Sequence, residues 1–130
     1  MDCKLILDSQ EIPIKSLDDL TAQFERIRNS LIEDNPIVLL IHSNGNELTI
    51  GISEAGGFVQ HTDESRNPPY FVSVNRSVLG DSDTVVFFID GHATEISRRN
   101  IISLDKALRV AEHFCQDGLR PTELIDWEAV

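Results

Sequence analysis

The run Thr84–Ile89 constrains this 130-residue chain more than any other stretch. Val85, Val86, Phe87, Phe88 and Ile89 follow one another without a polar break, so a strand built from them has no face suited to water. Such a strand must be covered on both sides, which places it inside a sheet. Asp90-Gly91 then turns the chain, a polar run leads to Asn100, and Ser103 opens an amphipathic helix over residues 104–116 that is the natural cover. Leu104, Leu108, Ala111 and Phe114 make its buried stripe, with Ala107 and Cys115 beside them. Gly118 supplies a left-handed cap and Pro121 bars continuation.

The earlier residues supply the partners for this unit. Residues 1–7 alternate weakly, so that Cys3, Leu5 and Leu7 share one face of an expected edge strand. Ser16 is a helix N-cap with Asp18 and Asp19 at the positive end. Leu17, Leu20, Phe24, Ile27 and Leu31 then form one apolar stripe, and Asn35-Pro36 stops the helix. Residues 37–41 are a second wholly apolar strand. Asn44-Gly45 predicts a tight hairpin with positive φ at both central positions. In the return strand, residues 47–52, Leu48, Ile50 and Ile52 face the core while Glu47, Thr49 and Gly51 face water, leaving one sheet face partly open. Residues 54–69 form a loose polar stretch with a short strand at 58–60. Residues 70–74 make another strand, and a loop leads back to Thr84. Short connections favour antiparallel neighbours. The expectation is one α+β domain, an antiparallel meander of about five or six strands with two α-helices packed on one face.

Hydrophobic residues at 41% and charged residues at 25% are ordinary for a globular chain. No window approaches the ~20 apolar residues of a membrane helix. The first residues are too short and acidic for a signal peptide, so a cytoplasmic location is expected. Cys3 and Cys115 match no ligand spacing and read as small apolar fillers in a reducing compartment, with a disulfide as the alternative. Twenty-two acidic residues against 11 basic ones give a formal charge of −11. That field repels nucleic acid and anionic membrane and steers a basic protein toward the chain, although solubility alone also selects acidic surfaces.

No catalytic constellation emerges. His42, His61, His92 and His113 lie at no metal-binding spacing, and the glycines spell neither a P-loop, a dinucleotide fingerprint nor a serine nucleophile elbow. No metal, cofactor or catalytic residue is therefore expected. What remains is surface recognition.

The order Gly91, His92, Glu95, a Ser103-capped helix carrying alanines, Gly118, Pro121 and Trp127, with residues 69–74 as a second block, resembles the immunity proteins of bacterial polymorphic-toxin systems, specifically the first-numbered immunity family. The likeness spans about residues 51–127. It implies a non-enzymatic protein that neutralises a cognate toxin, nucleases and deaminases being among the family's targets. A basic toxin acting on nucleic acid suits the charge. An acidic secretion chaperone and a small hydrolase are the alternatives, and the chain is a monomer or a homodimer.

Contact candidates follow from charge and exposure. Asp63, Glu64 and Asn67 in the polar loop, and Asp81 and Asp83 in the next, can accept charge-assisted hydrogen bonds from a partner's arginine or lysine. Tyr70 either caps the core or reaches the loop. Trp127 is expected to lock the tail onto the second helix, since Leu124, Ile125 and Trp127 would otherwise leave a wet apolar patch. Glu95 is expected to pair with Arg98 or Arg99 rather than to anchor an interface.

Overall fold

A computed structural model describes residues 2–30, 35–78 and 83–130. Its main layer is a seven-stranded antiparallel sheet built from β1 (Cys3–Leu7), β2 (Gln10–Ile14), β3 (Ile37–His42), β4 (Glu47–Ser53), β5 (Gly56–Thr62), β6 (Phe71–Val74) and β9 (Asp126–Ala129) in the order β2-β1-β3-β4-β5-β6-β9. Two helices, α1 (Leu17–Asn29) and α2 (Leu104–Asp117), cover one face. A separate hairpin, β7 (Thr84–Ile89) and β8 (His92–Ser97), forms a second, two-stranded sheet. The class is α+β as expected, with more strands than the sequence indicates.

Local chemistry explains the helices. Ser16 accepts a hydrogen bond from the Asp19 amide at 3.1 Å, and the Asp19 carboxylate accepts from the Lys15 amide at 3.0 Å, so each end of this short box satisfies an orphan donor. Leu20, Phe24 and Ile27 are buried as the stripe requires; Leu31 lies outside the described residues. Ser103 caps α2 through the Lys106 amide at 3.2 Å, and Gly118 closes it at φ +72°. The deepest residues of α2 are Ala107, Val110, Ala111, Phe114 and Cys115, with Leu104 and Leu108 only partly covered. The small side chains let the helix lie close to the sheet.

Three expectations are corrected. The strand β1 is interior, not an edge: Asp8 and Ser9 both take positive φ and return the chain as β2, which occupies the edge. Pro13 sits on that edge strand, where its missing N–H is tolerated. The turn after β3 has positive φ only at Gly45, not at both Asn44 and Gly45. His42 instead accepts from the Gly45 amide at 2.9 Å and donates to the Asn46 carbonyl at 3.0 Å, the longer three-residue type of connection.

The third correction concerns Thr84–Ile89 itself. This strand does not run inside the main sheet but pairs along its length with β8, touching the main sheet's side through the isolated Pro36–Phe88 bridge, and the hairpin lies across the face opposite the helices. Parity within the ladders fixes this. Ile50 pairs with Val59 on the helix side, whereas Gly51 pairs with Phe58 and with Ile37 on the other side. Gly51 therefore faces not water but the Phe58 and Phe87 rings, and a Cβ there would meet Phe58 directly and come within 2.8 Å of Phe87 Cδ1. The two rings meet edge to face at 5.0 Å, and Ile37, Val72, Val85 and Ile101 complete this second core. Asn35 fastens the hairpin by donating from Nδ2 to the Val86 carbonyl at 2.8 Å and accepting from the Phe88 amide, also at 2.8 Å.

Phe87 is fully buried, so Phe87→Ala is expected to cost about 3–5 kcal/mol of unfolding free energy. Gly51→Ala is expected to cost about 1–3 kcal/mol by overpacking the same contact. Urea unfolding curves of the three proteins check both values; a neutral Gly51→Ala would show that the hairpin does not press on the sheet.

Candidate functional site

The loop between β5 and β6 is exposed yet stitched down at nearly every step. Asp63 Oδ1 accepts from the Ser65 amide at 2.9 Å and from its hydroxyl at 2.5 Å, and the Ser65 hydroxyl oxygen in turn accepts from the Asn67 amide at 3.2 Å. The Ser65 hydroxyl, helped by its amide, holds the Asp63 carboxyl below the usual carboxylate range. Arg66, at φ +61°, donates to the carbonyls of Asp63 at 2.8 Å and Gly45 at 2.9 Å and to the Glu47 carboxylate at 2.9 Å. Tyr70 reaches the loop, donating its hydroxyl to the Arg66 carbonyl at 2.8 Å. Its backbone meanwhile exchanges two hydrogen bonds with Val130.

The loop is also tied to the neighbouring turn and helix end. The Glu64 amide donates to Asn46 Oδ1 at 2.9 Å, Asn46 Nδ2 donates to the Gly118 carbonyl at 2.7 Å, and Asn44 Nδ2 donates to the same carbonyl at 3.3 Å. Three segments distant in sequence thus form one platform at one end of the sheet: residues 42–46, residues 63–70 and the cap of α2. Asp63, Glu64 and Asn67 project from it as exposed side chains. Among the described residues, neither Asp63 nor Glu64 has a cation within ion-pair distance.

The other contact candidates lie elsewhere. Asp83 precedes β7, its carbonyl accepting from the Arg98 amide at 2.9 Å and its carboxylate 3.9 Å from Arg98 Nε. Arg98 belongs to a single helical turn, Arg98–Asn100, whose Arg99 carbonyl accepts from Asn75 just past the far end of β6. Asp83 therefore sits at the end of the sheet away from Asp63 and Glu64. Asp81 lies outside the described residues.

Several further residues hold this architecture. Trp127 does lock the tail, but as part of β9: it stands opposite Ser73, packs on the helix-side core and donates its indole N–H to the Pro121 carbonyl at 2.7 Å. The Arg120 guanidinium lies 3.9 Å over the Phe71 ring and 5.5 Å from Trp127. Asn100 Nδ2 donates to the Ser73 carbonyl and to Glu128 Oε1, both at 2.9 Å, and Arg99 joins at 2.7 Å from Glu128 Oε2. Asn100 first and Arg99 second keep the Glu128 carboxyl below its ordinary range. Arg98 and Arg99 thus meet Asp83 and Glu128, and Glu95 stands exposed on β8. Only the period-two pattern of residues 126–129 hinted at β9.

His61, whose base supports the platform, is buried with its ring edge-on to Phe114 at 5.8 Å and Nε2 without a hydrogen-bond partner among the described residues. Burial, then the positive charge of Arg120, pushes its pKa down. No group of three or more His, Cys, Asp or Glu side chains among the described residues is placed to hold a metal ion. No helix among them is long and apolar enough to cross a membrane.

The loop is thus an exposed acidic segment fastened by hydrogen bonds to the β3–β4 turn and the end of α2. The family model for immunity protein Imm1 matches residues 8–129, and the chain belongs to that family. It is accordingly an immunity protein, and a toxin is its partner. No curated protein matches the sequence significantly.

A His whose folded pKa lies below its unfolded value binds its proton more readily when unfolded. The folded state therefore keeps its full advantage above about pH 6.5 and loses it as the pH falls through the lower folded value. His61→Phe, which keeps a ring against Phe114, is expected to lose less stability than wild type between about pH 7 and pH 5. Thermal denaturation across that range measures it, and parallel curves for the two proteins would refute the assignment.

Proposed function

We propose that this immunity protein acts in the cytoplasm as a non-catalytic inhibitor, binding one cognate toxin domain of a polymorphic-toxin system and covering its active site. The toxin it suits best is a basic one acting on nucleic acid, a nuclease or deaminase. The observation that carries this reading is the pair of exposed carboxylates, Asp63 and Glu64, neither with a cation in ion-pair distance among the described residues, on a loop already fastened by Arg66, Asn46 and Tyr70. A cleft that handles nucleic acid must present arginine or lysine to phosphate. Anions held in fixed positions compete for those groups with little ordering cost on binding. The net charge of −11 adds a long-range field that speeds encounter with a cationic surface.

Asn67 lies on the same loop and is a further contact in this reading, whereas Tyr70 contributes by holding the loop's shape. Asp83, at the other end of the sheet, would touch the partner only if the interface wrapped the hairpin side.

The test is a double charge reversal, Asp63→Lys with Glu64→Lys, measured against a toxin domain encoded in an adjacent reading frame. Association is expected to slow and Kd to weaken about 10- to 100-fold at low salt, with the difference shrinking as salt rises, while the Tm stays within a degree or two of wild type. Unchanged association kinetics would remove these residues from the interface. Toxin neutralisation that needs substrate turnover by this chain would defeat the inhibitor reading itself.

A further inference from the structure

We infer that Cys3 and Cys115 are a built-in oxidation site, two thiols that a small peroxide converts into a disulfide pinning the N-terminal strand to the last turn of α2. The residues are 112 positions apart in sequence, yet their sulfurs lie 3.0 Å from each other, with the Cys115 thiol donating to Cys3 Sγ. A bonded pair needs about 2.05 Å between sulfurs, so the two sulfurs have to approach by only about 1 Å more. Both thiols are free and buried in the helix-side core.

The two cysteines are not equivalent. Cys115 is fully enclosed, while Cys3 keeps 7% of its surface exposed and borders a surface depression of about 420 Å³ lined by Asp2, Lys4, Ile41, His42 and Ser43. A hydrogen peroxide molecule can approach Cys3 from that side, and a bulky disulfide reagent is excluded from Cys115. The hydrogen bond from Cys115 also favours the Cys3 thiolate, and the same bond together with burial keeps Cys115 protonated. Attack of the Cys3 sulfur on one peroxide oxygen breaks the O–O bond, gives a sulfenic acid and releases water after proton transfer. Cys115 then displaces the sulfenic hydroxyl, its thiol proton leaving with it as a second water. Two thiols are oxidised by two electrons, and one peroxide is reduced to two waters.

The bond would close a loop spanning nearly the whole chain, and it would fix β1 beside His42, at the base of the turn that carries Asn44 and Asn46. The inference concerns the fold and holds whichever partner the chain binds.

Full-length wild-type protein is treated with hydrogen peroxide near neutral pH, then its thiols are counted after unfolding and its intact mass is measured. Both thiols are expected to disappear with the loss of two hydrogens from the monomer, to return on addition of a dithiol, and to raise the Tm by about 10 °C while oxidised. Cys3→Ser or Cys115→Ser should abolish the rise in Tm. Surviving thiols, oxygen adducts in place of the bond, cross-linking between chains, or a disulfide that leaves the Tm unmoved would each overturn the proposal.

Discussion

The contact on which the rest of the structure depends is the close approach of Phe58 and Phe87 above Gly51. A seven-stranded antiparallel sheet with two helices on one side leaves its other side to water unless something covers it. Here the cover is a hairpin that brings its own apolar strand, and it docks because Gly51 removes one side chain from the middle of the sheet. The vacancy receives the Phe87 ring, and Phe58, on the neighbouring strand, turns its edge to that ring. Beside this seat, the contacts of Val85 with the second core, the Asn35 hydrogen bonds and the isolated Pro36–Phe88 bridge also hold the hairpin. Two partly separate cores result, one beneath each layer.

This arrangement also explains what was legible in the sequence and what was not. Helix starts and stops are written locally: Ser16, Ser103 and Gly118 each do their work within four residues, and all three are where pattern reading puts them. The apolar run at Thr84–Ile89 correctly demands cover on both sides, but it does not say whether the cover comes from flanking strands or from a sheet beneath. Sheet membership is a matter of non-local pairing, and a solitary hairpin on top of a sheet satisfies the same burial pattern. Gly51 misleads for a related reason. In an alternating strand a glycine on the polar phase looks like a solvent-facing position, whereas here its lack of a Cβ is what admits an aromatic ring. The reversal at Asp8-Ser9 has no glycine to announce it, which is why β2 and the interior place of β1 went unread. The strand β9 is short, rich in acid and stabilised by Arg99, Asn100 and Arg120 from elsewhere in the chain.

The candidate site shows the same division. That Asp63, Glu64 and Asn67 are exposed loop residues follows from composition; that the loop is ordered does not. Its order depends on Asn46 and Arg66, whose partners lie 18 to 21 residues away in the Glu64 amide, Glu47 and the Gly45 carbonyl. The Gly118 carbonyl, left over at the end of α2, then fixes the turn to the helix. Several backbone donors of the loop are satisfied within it or by Asn46, while the side chains of Asp63, Glu64 and Asn67 stay exposed.

A final point concerns where the cations go. Lys4, Arg28, Arg66, Arg76, Arg98 and Arg99 are each engaged with a carboxylate, and Arg120 lies over two aromatic rings, so much of the positive charge is committed to joining one part of the chain to another. With 22 acidic residues against 11 basic ones, the surface field is therefore anionic by subtraction. Such a surface carries a modest cost in self-repulsion within the free protein. A cationic partner relieves that repulsion on binding, so the same imbalance that slightly disfavours the isolated fold favours the complex. For a partner that must keep its cleft positive to hold a polyanion, evading this surface means weakening its own grip on substrate. Under the proposed function, that coupling would give the chain a hold that an apolar patch of equal area would lack.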